Sequence, residues 1–221
     1  MSGKTKARFK MDWSDNFLFF SDATNTTEMD HWERDYMYHL SWASRILAKT
    51  KPHVHIDIGS HRHFACMMSA FCKVDFYDLR PIDISLDNLT VKFADLTNLP
   101  FSNNSISSLS CLHVLDHPGL GRYGDKLDYN ADLKAINELK RVLAKGGNLL
   151  YVVPIGGIPR IQFNAHRIFS YEQTLNYFSG LKIKEFSLIP ENSQEGGLIR
   201  NASKKMADSQ SCGTGCFWFT K

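Results

Sequence analysis

The sequence predicts a single α/β domain built on a doubly wound, mostly parallel sheet of seven strands, with one antiparallel strand at the C-terminal end. Three observations predict it. From residue 30 onward, short apolar runs alternate with amphipathic helical stretches, the pattern of repeated βαβ units. The short apolar run Val54 to Ile58, ending in Asp-Ile-Gly-Ser, reads as a buried parallel strand followed by a turn. No repeat, low-complexity tract or Pro/Gly-rich linker divides the 221 residues. Residues 1–29 therefore read as an N-terminal extension and 30–221 as one domain.

The elements follow in order. Residues 1–29 read as irregular, with aromatics gathered at Phe17, Phe19 and Phe20. The basic run Lys4, Lys6, Arg8 and Lys10 reads as a solvated tail or a weak contact with an anionic lipid or glycan. Asp30 and Glu33 spell a capping box that opens a helix, and Tyr36, Leu40, Ala43 and Leu47 fall on its apolar face. Pro52 helps to end it. Val54 to Ile58 is the first strand, and Phe64 to Phe71 suits a helix. Val74 to Tyr77, Leu89 to Phe93 and Ile106 to Leu112 are the next three strands. Asp132 to Leu143 is a helix with Leu133, Ile136, Leu139, Val142 and Leu143 as its buried stripe, stopped by Gly146-Gly147. Leu149 to Val153 is a fifth strand, closed by Pro154. Ser170 and Gln173 form a second capping box, for a helix reaching Phe178. Leu181 to Ile189 and Cys216 to Thr220 are the last strands, an antiparallel pair joined by a polar loop over residues 196–211.

Composition narrows the function classes. The apolar fraction of 43% and charged fraction of 22% are ordinary for a globular chain. A net charge of +3 gives no electrostatic case for a nucleic-acid partner. No run approaches the ~18 apolar residues of a membrane span, and no basic-then-apolar secretory signal is seen. Five scattered cysteines without a C-x-x-C pair point to reduced thiols and a cytoplasmic setting.

In doubly wound sheets, ligands bind at the carboxyl ends of the strands near the switch in strand order. Past the first strand lie Asp57, Gly59 and Ser60; past the second, Asp78; past the third, Asp95; past the fourth, His113, Asp116 and His117. Gly59 lets backbone approach a ligand. Asp78, about 20 residues after the turn, is placed to accept two ribose hydroxyls. Asp95 can accept from the exocyclic amine of adenine.

The order D-I-G-S (57–60), Y-D-L-R (77–80), A-D-L-T-N-L-P-F (94–101), S-I-S-S-L-S-C-L-H-V-L-D-H (105–117) and L-K-R-V-L-A-K-G-G-N-L-L (139–150) resembles the class I S-adenosylmethionine-dependent methyltransferases over residues 53–190. H-P-G-L-G-R-Y-G-D (117–125) and N-A-H-R-I-F-S-Y-E-Q (164–173) resemble, more narrowly, a bacterial methyltransferase-like family of unknown function often found among glycan genes. The resemblance implies a Rossmann-like sheet and S-adenosylmethionine as cofactor. It implies a cofactor site of Asp57, Gly59, Ser60, Asp78, Leu79, Asp95, Leu96 and His113. It further implies methyl transfer to a hydroxyl of a small molecule, a sugar or glycan precursor. One departure stands out: the family loop is D-x-G-x-G-x-G, whereas here His61, Arg62 and His63 follow Ser60. That implies weaker cofactor binding or an altered pose, and it counts against a nicotinamide enzyme.

Methyl transfer to a hydroxyl is helped by a base. His117 is the candidate, as base or substrate ligand, with Asp116 as base or as the group that orients the imidazole, and His166 beside them. Loop packing is the plain alternative for each. Arg122 and Tyr123, in a loop with Gly119, Gly121 and Gly124, read as a substrate-contacting lid, and Arg167 as a grip on a phosphate or carboxylate. Trp32 and Tyr36 read as core aromatics, with a cover over the cofactor as the alternative; His61 and His63 read either as ligands to the cofactor carboxylate or as surface residues. Two other classes compete: a non-catalytic binding subunit on the same fold, and a metal-dependent hydrolase built from Asp95, Asp116, His117 and His166.

Overall fold

The computed structural model describes residues 7–12, 31–162 and 165–221. Lys4, Lys6, Phe17, Phe19, Phe20, Asp30 and Asn164 lie outside the described residues, as does the side chain of Trp32.

The main sheet has eight strands rather than seven. In chain order they are β2 (Val54–Ile58), β3 (Lys73–Asp78), β4 (Leu89–Phe93), β5 (Ile106–Leu112), β6 (Leu143–Ile155), β9 (Lys182–Ile189), β10 (Ile199–Arg200) and β11 (Gly213–Thr220). Their spatial order is β10-β9-β11-β6-β5-β2-β3-β4. β4, β3, β2, β5 and β6 run parallel, while β11 lies antiparallel between β6 and β9. The extra strand β10 is two residues pairing with β9 in what the sequence reads as polar loop. The same stretch carries a short helix, α5 (Lys204–Asp208), capped by the Ser203 hydroxyl.

Helices cover both faces, as buried parallel strands require. On one face α1 (His31–Thr50) and α2 (Arg62–Met68) bring Trp42, Ala43 and Phe64 onto Val74, Phe76 and Val152. On the other, α3 (Ala131–Val142) and α4 (Tyr171–Tyr177) join Ile136, Leu139 and Phe178 to Leu109, Cys111 and Tyr151. The Ser170–Gln173 capping box is present at α4. All five cysteines are free. Among the described residues no helix is long and apolar enough to cross a membrane.

Two predicted stops are not stops. α3 ends at Val142 because Leu143 turns to extended backbone, ψ 125°, and enters β6; Gly146 and Gly147 sit in the irregular first part of that strand. Pro154 lies within β6 opposite Thr214, and its carbonyl accepts from the Phe169 amide at 3.0 Å.

The described part of the N-terminal segment is not a solvated tail. β1 (Lys10–Asp12) pairs parallel with β7 (Arg160–Gln162), which pairs antiparallel with β8 (His166–Ile168). Phe9 is buried against Phe169. The Arg8 guanidinium donates to both carboxylate oxygens of buried Asp132, at 2.7 and 2.9 Å, and to the Tyr177 hydroxyl at 3.1 Å. Burying Asp132 without such a partner would be costly.

Candidate functional site

The strand order reverses at β2, with β3 and β4 on one side and β5 and β6 on the other. A cavity of about 1070 Å³ opens there, at the carboxyl ends of β2, β3 and β5. Of the residues predicted from sequence, Gly59, Ser60, Asp78, Leu79, Asp95, Leu96, His113, His117 and Tyr123 line it.

The turn after β2 is built for close approach. Gly59 has φ +67°, its amide donates to the Tyr77 carbonyl at 2.7 Å, and an added Cβ would stand 2.9 Å from Val114 Cγ1. Beneath it Asp57 is fully buried and does not line the cavity. Its Oδ1 accepts from the hydroxyls of Ser60 and of Ser110, the latter at 2.7 Å, and Ser60 Oγ in turn accepts the Leu112 amide at 3.1 Å. Asp57 thus shapes the turn from below. Burial pushes its carboxyl up to about 7, against the two hydroxyl hydrogen bonds.

Asp78 and Asp95 stand at the neighbouring strand ends. Asp78 Oδ1 accepts the Arg80 amide at 2.7 Å; Asp95 Oδ1 accepts the Thr97 amide at 2.8 Å and the Thr97 hydroxyl at 2.7 Å. These turns fix the carboxylates while leaving each Oδ2 outside those bonds. Leu79, half-exposed, and Leu96, buried, offer apolar surface between them.

The opposite wall is aromatic. His113 has φ +55° and stacks on Tyr36, ring centroids 5.7 Å apart at 27°. Burial brings the His113 imidazole down to about 4, so the ring is neutral. Tyr36 lines the cavity and stays a phenol, burial holding its hydroxyl up at about 12. Helical spacing assigns Tyr36 to the core; its hydroxyl, wasted in an apolar core, was the available signal.

Asp116 is buried beneath this wall and does not line the cavity. Burial works to raise its carboxyl, but the imidazoles of His117, His113 and His166 together hold it below the usual range. Its Oδ2 lies 3.4 Å from His117 Nε2, while His117 Nδ1 donates to the Ala165 carbonyl at 3.0 Å. That carbonyl fixes the tautomer and leaves Nε2 as the basic nitrogen. His166 is buried behind, its Nε2 3.8 Å from Cys212 Sγ, and burial brings it down to about 4.

Neither arginine lines the cavity. Arg122 Nη1 donates to the same Ala165 carbonyl at 3.0 Å. Arg167 is fully buried; its Nη1 donates to the Pro118 carbonyl at 2.6 Å and its Nε lies 3.9 Å from Asp132. It ties the 116–118 segment to α3 and cannot reach a ligand.

The glycine-rich loop wraps around Asp125, whose carboxylate accepts the amides of Gly119 at 2.6 Å, Gly121 at 3.4 Å and Tyr123 at 3.3 Å. At Gly119 a Cβ would fall 2.0 Å from the Asp128 carbonyl oxygen. The loop carries Tyr123 to the cavity rim, edge-on to His117 with centroids 5.3 Å apart. Sequence reasoning passed over Arg80, Asp125 and Lys126 on the same rim. Asp95 is exposed on the rim while Asp116 and His166 are buried beneath the opposite wall. Among the described residues no three His, Cys, Asp or Glu side chains converge on a metal-sized site.

Comparisons with known proteins agree with this architecture. The N1-methyltransferase for 1,6-didemethyltoxoflavin from Burkholderia thailandensis, solved with S-adenosylhomocysteine, is 14% identical, with a TM-score of 0.59 over 87% of this chain and 81% of that one. The N-methyltransferase NodS from Bradyrhizobium japonicum, solved with S-adenosyl-L-homocysteine, is 15% identical, with a TM-score of 0.56 over 91% and 93%. YcgJ from Bacillus subtilis is 14% identical, with a TM-score of 0.53 over 82% and 98%. Such likeness shows the fold, the Rossmann-like sheet of methyltransferases. In sequence, the uncharacterized protein MJ0638 of Methanocaldococcus jannaschii is 31% identical over 122 residues, 51% of this chain and 47% of that protein. The chain thus spans about half the length of this curated relative. Residues 63–208 match the model of a family described as Caenorhabditis protein of unknown function, DUF268, and the chain belongs to that family.

Proposed function

We propose that the chain is an S-adenosylmethionine-dependent methyltransferase acting on a small molecule. The observation that carries this reading is one juxtaposition: left-handed Gly59 against Val114, facing Asp78 and Asp95 across a single cavity at the strand-order switch. The residues fit the cofactor. Asp78 takes the ribose hydroxyls, Leu79 and Leu96 flank the adenine, Asp95 receives its amine, and Gly59 admits the chain beyond the ribose. The volume also leaves space for an acceptor. The methyltransferases of like fold solved with S-adenosylhomocysteine support the same reading.

The bound cofactor supplies a methyl group activated on a sulfonium. The chain's task is alignment of the acceptor and exclusion of water. We read the acceptor as a hydroxylated ring such as a sugar or glycan precursor. The wall of Tyr36, His113, His117 and Tyr123 supports this, since aromatic faces suit its C–H surface and polar edges its hydroxyls. His117 Nε2 takes the hydroxyl proton, and Asp116 stabilises the resulting imidazolium.

Calorimetric titration with S-adenosylmethionine and S-adenosylhomocysteine tests the reading. Both bind, and Asp78→Ala weakens both. Binding of neither overturns the proposal. Binding without turnover on any hydroxylated acceptor favours the non-catalytic subunit. Turnover that survives His117→Ala removes the assigned base.

A further inference from the structure

A chain of buried polar groups runs under the cofactor turn. Ser108 Oγ lies 2.8 Å from His55 Nδ1, His55 Nε2 lies 2.8 Å from Ser110 Oγ, and Ser110 donates to Asp57 Oδ1. Because Ser110 spends its proton on Asp57, it accepts from His55 Nε2–H, and Ser108 donates to Nδ1. Burial keeps His55 neutral, down to about 3. The chain therefore delivers hydroxyl dipoles to Asp57 but no positive charge.

Among the described residues no cation pairs with Asp57; its Oδ2 has no hydrogen-bond partner of good geometry, and the Ile58 amide gives the carboxylate only a small stabilisation beside the two hydroxyls. The titratable groups around it are these. His55 on its own strand is neutral; Cys111 on β5 is held as a thiol by burial; Asp78 on β3 adds a like charge; His61, Arg62 and His63, past the turn, are exposed. A fully buried carboxylate without a counter-ion is unfavourable, and either a proton or an incoming positive charge relieves it.

We propose that Asp57 senses the charge of the ligand above Gly59: it holds a proton beside a neutral ligand and releases it to solvent when a sulfonium binds. The inference rests on the methyltransferase reading. S-adenosylmethionine then binds with release of a proton. When the methyl group leaves, the C–S bonding pair returns to sulfur, the ligand's positive charge is lost, and Asp57 takes a proton back from solvent. Donor and product differ by that one charge, so Asp57 favours the donor.

The test is calorimetry at pH 6.5 in two buffers of different ionisation enthalpy, which counts protons released per ligand bound. Both ligands carry the same amino and carboxylate groups, so the difference between them isolates the sulfonium. The expected result is roughly half to one more proton released by S-adenosylmethionine, with the difference lost in Asp57→Asn. If that variant does not fold, Ser110→Ala serves. It removes one hydrogen bond to the carboxylate and moves to higher pH the midpoint at which the donor-to-product affinity ratio levels off. Equal proton counts for both ligands, a difference that persists in Asp57→Asn, or a midpoint unmoved in Ser110→Ala overturns the inference alone. Failure of both ligands to bind overturns the methyltransferase reading and this inference with it.

Discussion

The Arg80 guanidinium lies over the Tyr123 ring, 4.6 Å from its centroid. Arg80 follows β3 and Tyr123 belongs to the loop after β5, so the contact bridges the cavity mouth. Both side chains are exposed, and such a contact contributes about 0.5–1 kcal/mol. Arg80→Ala and Tyr123→Ala are each expected to cost less than about 1 kcal/mol of folding stability. Either should raise the dissociation rate of S-adenosylhomocysteine several-fold, read by stopped-flow displacement. A rate unchanged in both variants would show that the bridge retains nothing.

Asp78 should matter for affinity and little for stability. Its Oδ1 holds the Arg80 amide, leaving Oδ2 outside that bond for the ribose contact proposed above. Hydrogen bonds to a charged acceptor are worth about 1.5–3 kcal/mol, so Asp78→Ala is expected to weaken cofactor binding about 10- to 100-fold. Calorimetry measures the loss, and an unfolding midpoint close to that of the parent confirms that the site alone was touched.

Asp132 is the reverse case. It is shared by Arg8 and by fully buried Arg167, and lies away from the cavity. Asp132→Asn leaves Arg167 buried without its counter-charge and is expected to cost about 3–5 kcal/mol. Arg8→Ala should cost less, about 1–3 kcal/mol, because Arg167 still faces the carboxylate. Urea unfolding of the two variants checks the order.

Acid should destabilise the protein well above the carboxylate range. Burial brings His55 to about 3 and His113 and His166 to about 4. The unfolded chain, with imidazoles near the ordinary value of about 6.5, therefore takes up protons that the folded chain refuses. Their contribution is present above pH about 6.5 and is lost as pH falls toward 4. Asp57 has the opposite sign: raised to about 7, it adds stability at low pH that is lost as pH rises from about 4 to 7. Fully buried His39 is also held well below its ordinary value by burial, so four imidazoles oppose one carboxyl and the melting temperature should fall between pH 7 and 4.5. His113→Gln should flatten that fall, and an unchanged slope would mean that the His113 imidazole is protonated in the fold.

The sheet was readable where local pattern decides structure. Val54–Ile58, Leu89–Phe93 and Ile106–Leu112 are short runs that begin and end on apolar residues, and each forms a strand with those bounds. Pattern misled where pairing decides. Gly146, Gly147 and Pro154 are breakers by type, yet β6 runs through all three: Pro154 pairs with Thr214 of β11, while the Gly146 amide donates to the Lys221 carbonyl and the Lys221 amide to the Gly147 carbonyl. The three-residue strands β1, β7 and β8 are too short to carry a readable period, and β1 exists through a partner about 150 residues away in β7. In the site, strand-end position placed Gly59, Asp78 and Asp95 on the cavity. It did not place Arg167, because its Pro118 and Asp132 partners belong to other elements.

Gly59 and Val114 occupy what is in effect one volume divided between two positions. A left-handed backbone already costs other residues about 1–2 kcal/mol, so drift at position 59 is doubly restrained. Within the family, a lineage that lost this glycine would have to shrink the residue at 114 in the same stretch of its history. The pair should therefore change together or not at all, although 55 residues of sequence separate them.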